Sequence, residues 1–162
     1  MVSIVTIGRM ADPTPAPTLA LDDFIPFRLS FTSNLVSDRI ARAYQTLFGL
    51  SIPEWRLVAV VAETGGISQR EIGTRTRMDK VTVSRAAIAL AERGVLAREA
   101  NAADKRSHRL VLTEAGRTLH AAIAPEALAL ERRIFAGFDP AELAGFVATL
   151  RRIDAEVLGL AE

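Results

Sequence analysis

The sequence predicts a mainly α-helical chain carrying one small β-hairpin, on three observations. Apolar residues recur at three- and four-residue steps over most of the chain, the period of a helix that buries one face. Between residues 95 and 113 the period changes to two, with "VLAREA" and "HRLVLT" flanking the polar tip "NAADKRS", the pattern of two strands and their turn. Between residues 51 and 94, helix starts and stops follow one another so closely that three short helices fit there.

Each element has its own signal. Over residues 26–49, Leu29, Val36, Ile40, Ala43, Tyr44, Leu47 and Phe48 keep the helical step, and Gly49 is the stop. Ser51 caps a helix over 53–63, with Pro53 in its first turn and Glu54 at the positive end of its dipole; Gly65 and Gly66 end it. Ser68 and Glu71 have the spacing of a capping box, which predicts a helix over 69–75. Asp79 caps a third helix over 80–93, closed by Gly94, and only a few residues separate it from the second. Thr113 and Glu114 start a long helix to about Phe135, with Ile123, Ala127, Leu130 and Ile134 on one stripe. Pro125 lies inside it and predicts a kink or a break, because its ring crowds the preceding turn and it has no N–H. Asp139 caps and Pro140 opens the last helix, whose apolar face is Leu143, Phe146, Val147, Leu150, Ile153 and Val157.

Two helices joined by a tight turn, the second opening on polar and basic residues and followed by a hairpin, make a winged helix-turn-helix. It takes residues 51–113. The helical segments 24–50 and 114–162 are surplus to that small core, so their apolar stripes predict a dimerisation region buried against a twofold mate. Pro13, Pro15 and Pro17 predict an extended arm over residues 1–23, and Met10 stands as an alternative start to Met1.

Composition narrows the function. The chain has 162 residues and is 49% hydrophobic, which suits a folded domain. It has no cysteine, so disulfides, thiol switches and cysteine-ligated metals are excluded, and a reducing cytoplasm fits. No run approaches the ~18 apolar residues of a membrane span, and the apolar start has no basic region ahead of it, so neither a membrane partner nor a signal peptide is expected. Two histidines, His108 and His120, do not make a metal site, and neither has a carboxylate at a useful spacing. There is no glycine-rich phosphate loop. Catalytic residues, metals and cofactors are therefore not expected, and the chain does not read as an enzyme.

The formal net charge is +1, which by itself predicts no polyanion partner. Residues 68–109, however, hold ten basic and five acidic side chains, so a basic middle is offset by an acidic remainder. That local excess is what a phosphate backbone requires. On the helix after Asp79, Val83, Ala87 and Leu90 step toward a core. Lys80, Val81, Ser84, Arg85 and Ile88 take the other face, with Thr82 at its margin. An ordinary solvated face is the bland alternative; the short preceding helix and the following hairpin favour DNA, with arginine addressing guanine and Val81 a thymine methyl. At the hairpin tip, Asp104, Lys105 and Arg106 form either a solvated turn or a finger. In the second reading Arg106 enters a narrow minor groove, oriented by Asp104 or Asp79.

The stretches "SIPEWRLVAVV", "SQREIGTRTRMDKVTVSRAAIALAERGVLARE" and above all "DKRSHRLVLTEAG" resemble the MarR family of winged-helix regulators, over residues 25–160. The resemblance implies a homodimeric transcriptional regulator, commonly a repressor, whose terminal helices form the dimer interface. Its recognition helices would read a pseudo-palindromic duplex and its wings the flanking minor grooves. It makes Arg106 the wing arginine, Asp79 its salt-bridge partner and Asp104 the holder of the wing turn. Thr82, Ser84 and Arg85 take reading positions, and Lys80, Lys105, Arg77, Ser68 and Arg109 complete the expected DNA contacts. It also implies release by a small aromatic acid, phenolic compound or acyl-CoA thioester, with Arg28, Ser33, Trp55 and His120 as pocket candidates. For Trp55 core packing is the preferred reading, and for His120 a surface or satisfied position. A winged-helix module that binds protein rather than DNA is the alternative function.

Overall fold

The computed structural model describes residues 18–100 and 108–160. Within them the order is α1 (Ile25–Phe48), α2 (Ile52–Thr64), α3 (Gln69–Thr76), α4 (Lys80–Glu92), β1 (Leu96–Ala100), β2 (His108–Leu112), α5 (Glu114–Ile134) and α6 (Pro140–Gly159). No helix among the described residues is long and apolar enough to cross a membrane.

The expected caps are present. Ser51 and Glu54 exchange bonds at the start of α2, the Ser51 amide donating to Glu54 Oε2 at 2.7 Å and the Glu54 amide to Ser51 Oγ at 3.4 Å. Ser68 and Glu71 do the same for α3, and Asp139 and Glu142 for α6. Gly65 takes the left-handed conformation that ends α2, with φ 68°. At α4, Asp79 Oδ1 accepts from the amides of Val81 and Thr82, each at 2.9 Å, and Oδ2 accepts from the Thr82 hydroxyl at 2.6 Å. These bonds, the Thr82 hydroxyl first, hold the Asp79 carboxyl below its ordinary value of 3.8.

β1 and β2 pair antiparallel, from Leu96 opposite Leu112 to Ala100 opposite His108. Ile67 adds a single bridge: its amide donates to the Leu110 carbonyl at 3.1 Å and its carbonyl accepts from the Leu110 amide at 2.8 Å. The return strand of the hairpin is thereby tied to the link between α2 and α3. Its other end is tied as well, because the Thr113 hydroxyl donates to the Gly94 carbonyl at 2.6 Å while accepting from the Gly116 amide at 3.0 Å.

The core is one cluster. Leu57, Val58 and Val61 of α2, Ile72 of α3, and Val83, Ala86, Ala87 and Leu90 of α4 meet Leu50, Ile67, Val95, Leu96, Leu110 and Ile123. Full burial of such a side chain contributes about 1.5–3 kcal/mol, and no polar side chain is buried among them. The chain divides into two compact units within α1, after Val36. Tyr44, with Ile40 and Phe48 packed nearby, belongs to the core of the second unit. The second half of α1 therefore belongs to the same body as the winged unit.

One expectation changes, at Pro125, and one observation bears on the expected dimerisation region, at α6. α5 runs unbroken through Pro125, so the predicted break is absent. The helix loses the hydrogen bond that Pro125 cannot donate, but Ile123 and Leu130 are buried on either side and hold both halves to the protein. The face of α6 is also not covered within the chain: none of its residues is buried, and Phe146 and Val157 are 50% and 57% exposed.

Two outcomes follow from the packing and the caps. Gly116 is buried, and a Cβ there would collide with the Val95 carbonyl, a backbone group that cannot move aside. Gly116→Ala should lower stability in urea unfolding by about 1–3 kcal/mol, the range for overpacking. Asp79→Ala should lower the thermal midpoint at neutral pH. Because the folded carboxyl has a depressed pKa, the unfolded chain binds more protons between the two values. The Asp79 contribution is therefore fully present above about pH 4 and fades as pH falls through the folded value. Thermal midpoints of wild type and variant measured against pH should converge in acid; a gap that stays constant would contradict this account.

Candidate nucleic-acid interface

The surface that the sequence marks as basic is built on α4. Its inner face is fully buried, and this leaves Lys80, Val81, Arg85 and Ile88 exposed, with Thr82 and Ser84 half-buried beside them. The division is the one expected from the helical period. Val81 is 57% exposed and Ile88 45%, so the outer face carries apolar as well as basic side chains. α3 leads into α4 through Arg77, which has φ 56° and is the one non-glycine residue with positive φ among the described residues. An L-residue in this region costs about 1–2 kcal/mol. Arg70 and Lys80 stand at the rim of a notch of about 530 Å³ between α3 and α4, floored by Gly73, Met78 and Val83.

Hydrogen bonding sorts the candidate side chains further. The Ser68 hydroxyl lies 2.6 Å from Glu71 Oε2. The Glu71 carboxyl is held below its ordinary value by that bond first and by the Ser68 amide next. It is an ionised acceptor, so the Ser68 proton is committed to it, and the hydroxyl has no proton for a phosphate. The same holds for Thr82 toward Asp79. Arg109 Nη2 donates to the Gly66 carbonyl at 2.8 Å, which braces β2 against the α2–α3 link. Arg93 counts toward the basic window but faces elsewhere. Its Nη1 and Nη2 donate to the carbonyls of Gly49 and Phe48 at 3.0 and 3.2 Å, at the end of α1.

The hairpin tip, with Asp104, Lys105 and Arg106, lies outside the described residues, so the expected pairing of Asp79 with Arg106 has one member there. His108 is exposed on β2.

Of the four pocket candidates, two come together and two do not. Trp55 sits edge-on to Tyr44, with ring centroids 5.3 Å apart, and stacks on His120 at 5.9 Å with an interplanar angle of 15°. Trp55 packs on the core, and His120 stacks on its outer side. His120 also lines a cavity of about 350 Å³ with Ala59, Ala62, Glu63, Leu112 and Arg117. Glu63 and Arg117 were not singled out by the sequence, because what joins them is the crossing of α2 and α5. The Arg28 guanidinium pairs with Asp22 at 2.9 Å and lies 5.5 Å from the centre of the Phe31 ring. Ser33 is exposed five positions on, about 140° around the same helix. Arg28 and Ser33 therefore do not converge within the chain.

With this geometry in view, comparison with known proteins is direct. The model of the MarR family matches residues 48–107, from the end of α1 through the hairpin tip. No curated protein matches the sequence. A MarR/EmrR family transcriptional regulator from Acinetobacter sp. ADP1 shares the fold with a TM-score of 0.80 and 24% identity, over 86% of this chain and 98% of that one. A MarR family transcriptional regulator from Silicibacter pomeroyi has 29% identity and a TM-score of 0.73, over 85% and 92% of the two chains. CouR from Rhodococcus jostii RHA1, solved bound to p-coumaroyl-CoA, has 26% identity and a TM-score of 0.75, over 84% and 95%. The family model spans the helix-turn-helix and β1 and stops short of β2, and the structural matches cover more of the chain, 84–86% of it. Over residues 48–107 the chain is similar to the MarR family, and it shares its fold with solved MarR family transcriptional regulators.

Proposed function

We propose that the protein is a homodimeric repressor that binds a pseudo-palindromic DNA operator and is released by a small aromatic acid or its CoA thioester. The observation that carries the reading is the outer face of α4. It presents Lys80, Val81 and Arg85 on a helix whose other face is locked into the core. Two such helices, one per protomer, would enter successive major grooves about 34 Å apart. Arg77 adds a cation at the entry to α4, and Lys105 and Arg106 supply the wing contact in the flanking minor groove. The uncovered apolar face of α6 supports the dimer, since a helix with no buried residue gains its stability from a partner.

The effector site is assigned to the cavity beside the Trp55–His120 stack. Its volume of about 350 Å³ falls within the range of small-ligand pockets, roughly 300–1,000 Å³, and admits an aromatic ring. A CoA tail would extend outside it. That CouR is bound to p-coumaroyl-CoA supports the ligand class. The cavity lies between α2 and α5, so an occupant bears on both the winged unit and the helix leading away from it.

Two experiments test this. Arg85→Ala and Arg106→Ala should each weaken binding to the operator about tenfold or more and reduce the salt slope of log K by about one, with the thermal midpoint unchanged. A mobility shift indifferent to both substitutions would remove α4 and the wing from the interface. A thermal-shift screen with aromatic acids and their CoA esters should yield a compound that raises the midpoint, changes Trp55 emission and releases DNA. A compound that stabilises the protein and leaves DNA affinity untouched has no coupling between the sites and counts against the sensor.

A further inference from the structure

The cap of α4 decides what its first turn can recognise. Thr82 Oγ1 lies 2.6 Å from Asp79 Oδ2, and the other carboxylate oxygen is held by the amides of Val81 and Thr82 at 2.9 Å each. An ionised carboxylate only accepts, so the hydroxyl proton belongs to this bond, whose length is that of a charge-assisted O–H···O⁻ contact. Toward anything outside, Thr82 presents lone pairs alone. The residue is half-buried at the margin of the outer face, so that oxygen is not sealed in the core.

This removes most of the partners that a duplex offers. Phosphate oxygens, guanine N7 and O6 and thymine O4 are acceptors and would oppose the lone pairs. The donors in the major groove are the N6 amine of adenine and the N4 amine of cytosine. Lys80 and Arg85, on the same face, carry donors only and suit guanine or phosphate. Resting on the reading of α4 as the groove helix, we propose that Thr82 is a specificity-determining residue that accepts a hydrogen bond from the amino group of an adenine or a cytosine. Asp79 is the positioning residue that fixes its polarity.

Selection from a randomised duplex library with the full chain tests this, run with wild type, Thr82→Val, Thr82→Ser and Asp79→Asn. One half-site position should require adenine or cytosine with wild type and Thr82→Ser, and should accept all four bases with Thr82→Val. Replacing that base by its analogue without the amine, purine or 2-pyrimidinone, should weaken wild-type binding about tenfold and leave Thr82→Val unaffected. Asp79→Asn retains a capping oxygen, but its amide can donate to Thr82 and turn the hydroxyl proton outward, so guanine and thymine should be accepted and the dependence on the base's amine should be lost. A consensus unchanged in Thr82→Val overturns the proposal, as does a wild type indifferent to loss of the amine. A uniform loss of affinity with the preference intact reports only a weakened cap and also overturns it. If the wild type binds DNA without enriching any sequence, the groove reading of α4 fails and the inference falls with it. A sharp consensus that ignores Thr82 removes the inference alone.

Discussion

Burial of Val83, Ala86, Ala87 and Leu90 fixes the rotation of α4 about its axis, and what the protein presents to a polyanion depends on that rotation. The two alanines let the helix approach α2 and α3 closely, while Val83 and Leu90 fill the space between them. A change of about 100°, one residue's turn, would bury Ser84 or Thr82 and expose a core methyl. Either is costly in a core with no buried polar side chain. The outer face is thus set by what the inner face cannot give up, and the recognition chemistry proposed for it would be carried on a helix that is rigid for reasons of packing.

Three contacts join this rigid unit to its surroundings, and each runs between a side chain and a backbone carbonyl. Arg93 holds the carbonyls that end α1 from its place just after α4, Arg109 holds Gly66 from β2, and Thr113 holds Gly94 from the start of α5. Carbonyl acceptors are fixed by the fold, so these bonds locate elements relative to one another more firmly than exposed ion pairs do. The basic window is therefore not uniform. Some of its arginines are structural braces with guanidinium groups already engaged, and the cations that face solvent are fewer than the sequence count suggests.

Much of the architecture was legible because it is written in local chemistry. Ser51, Ser68 and Asp79 signal helix starts by residues within one turn of the site they cap, and the alternation of "HRLVLT" is local as well. The two faces of α4 could be read from spacing alone. What stayed hidden depends on contacts distant in sequence. The engagement of Arg109 with Gly66 spans 43 positions, and that of Arg93 with Gly49 spans 44. Periodicity carries no signal for either. Pro125 shows the limit from the other side: the local rule predicts a disturbance, and burial at Ile123 and Leu130 outweighs it enough to keep the helix whole. Arg28 and Ser33 do not share a face of α1, since they lie five positions apart on one helix.

The turn between α3 and α4 combines an unusual backbone conformation with a cation, which suits the function proposed for α4. At four other places among the described residues the chain uses glycine where φ is positive: Gly49, Gly65, Gly66 and Gly94. At the same kind of position, Arg77 keeps a side chain and accepts the left-handed penalty. A glycine there would relax the turn, but it would remove a cation from the entrance to α4, the helix proposed to enter the groove. A strain of about 1–2 kcal/mol is small beside the summed attraction of several phosphate contacts and tolerable within the stability of a domain this size. Strained backbone of this kind concentrates where recognition occurs. Here it sits three residues before Lys80, at the one point where helix, cap and charge have to be placed together.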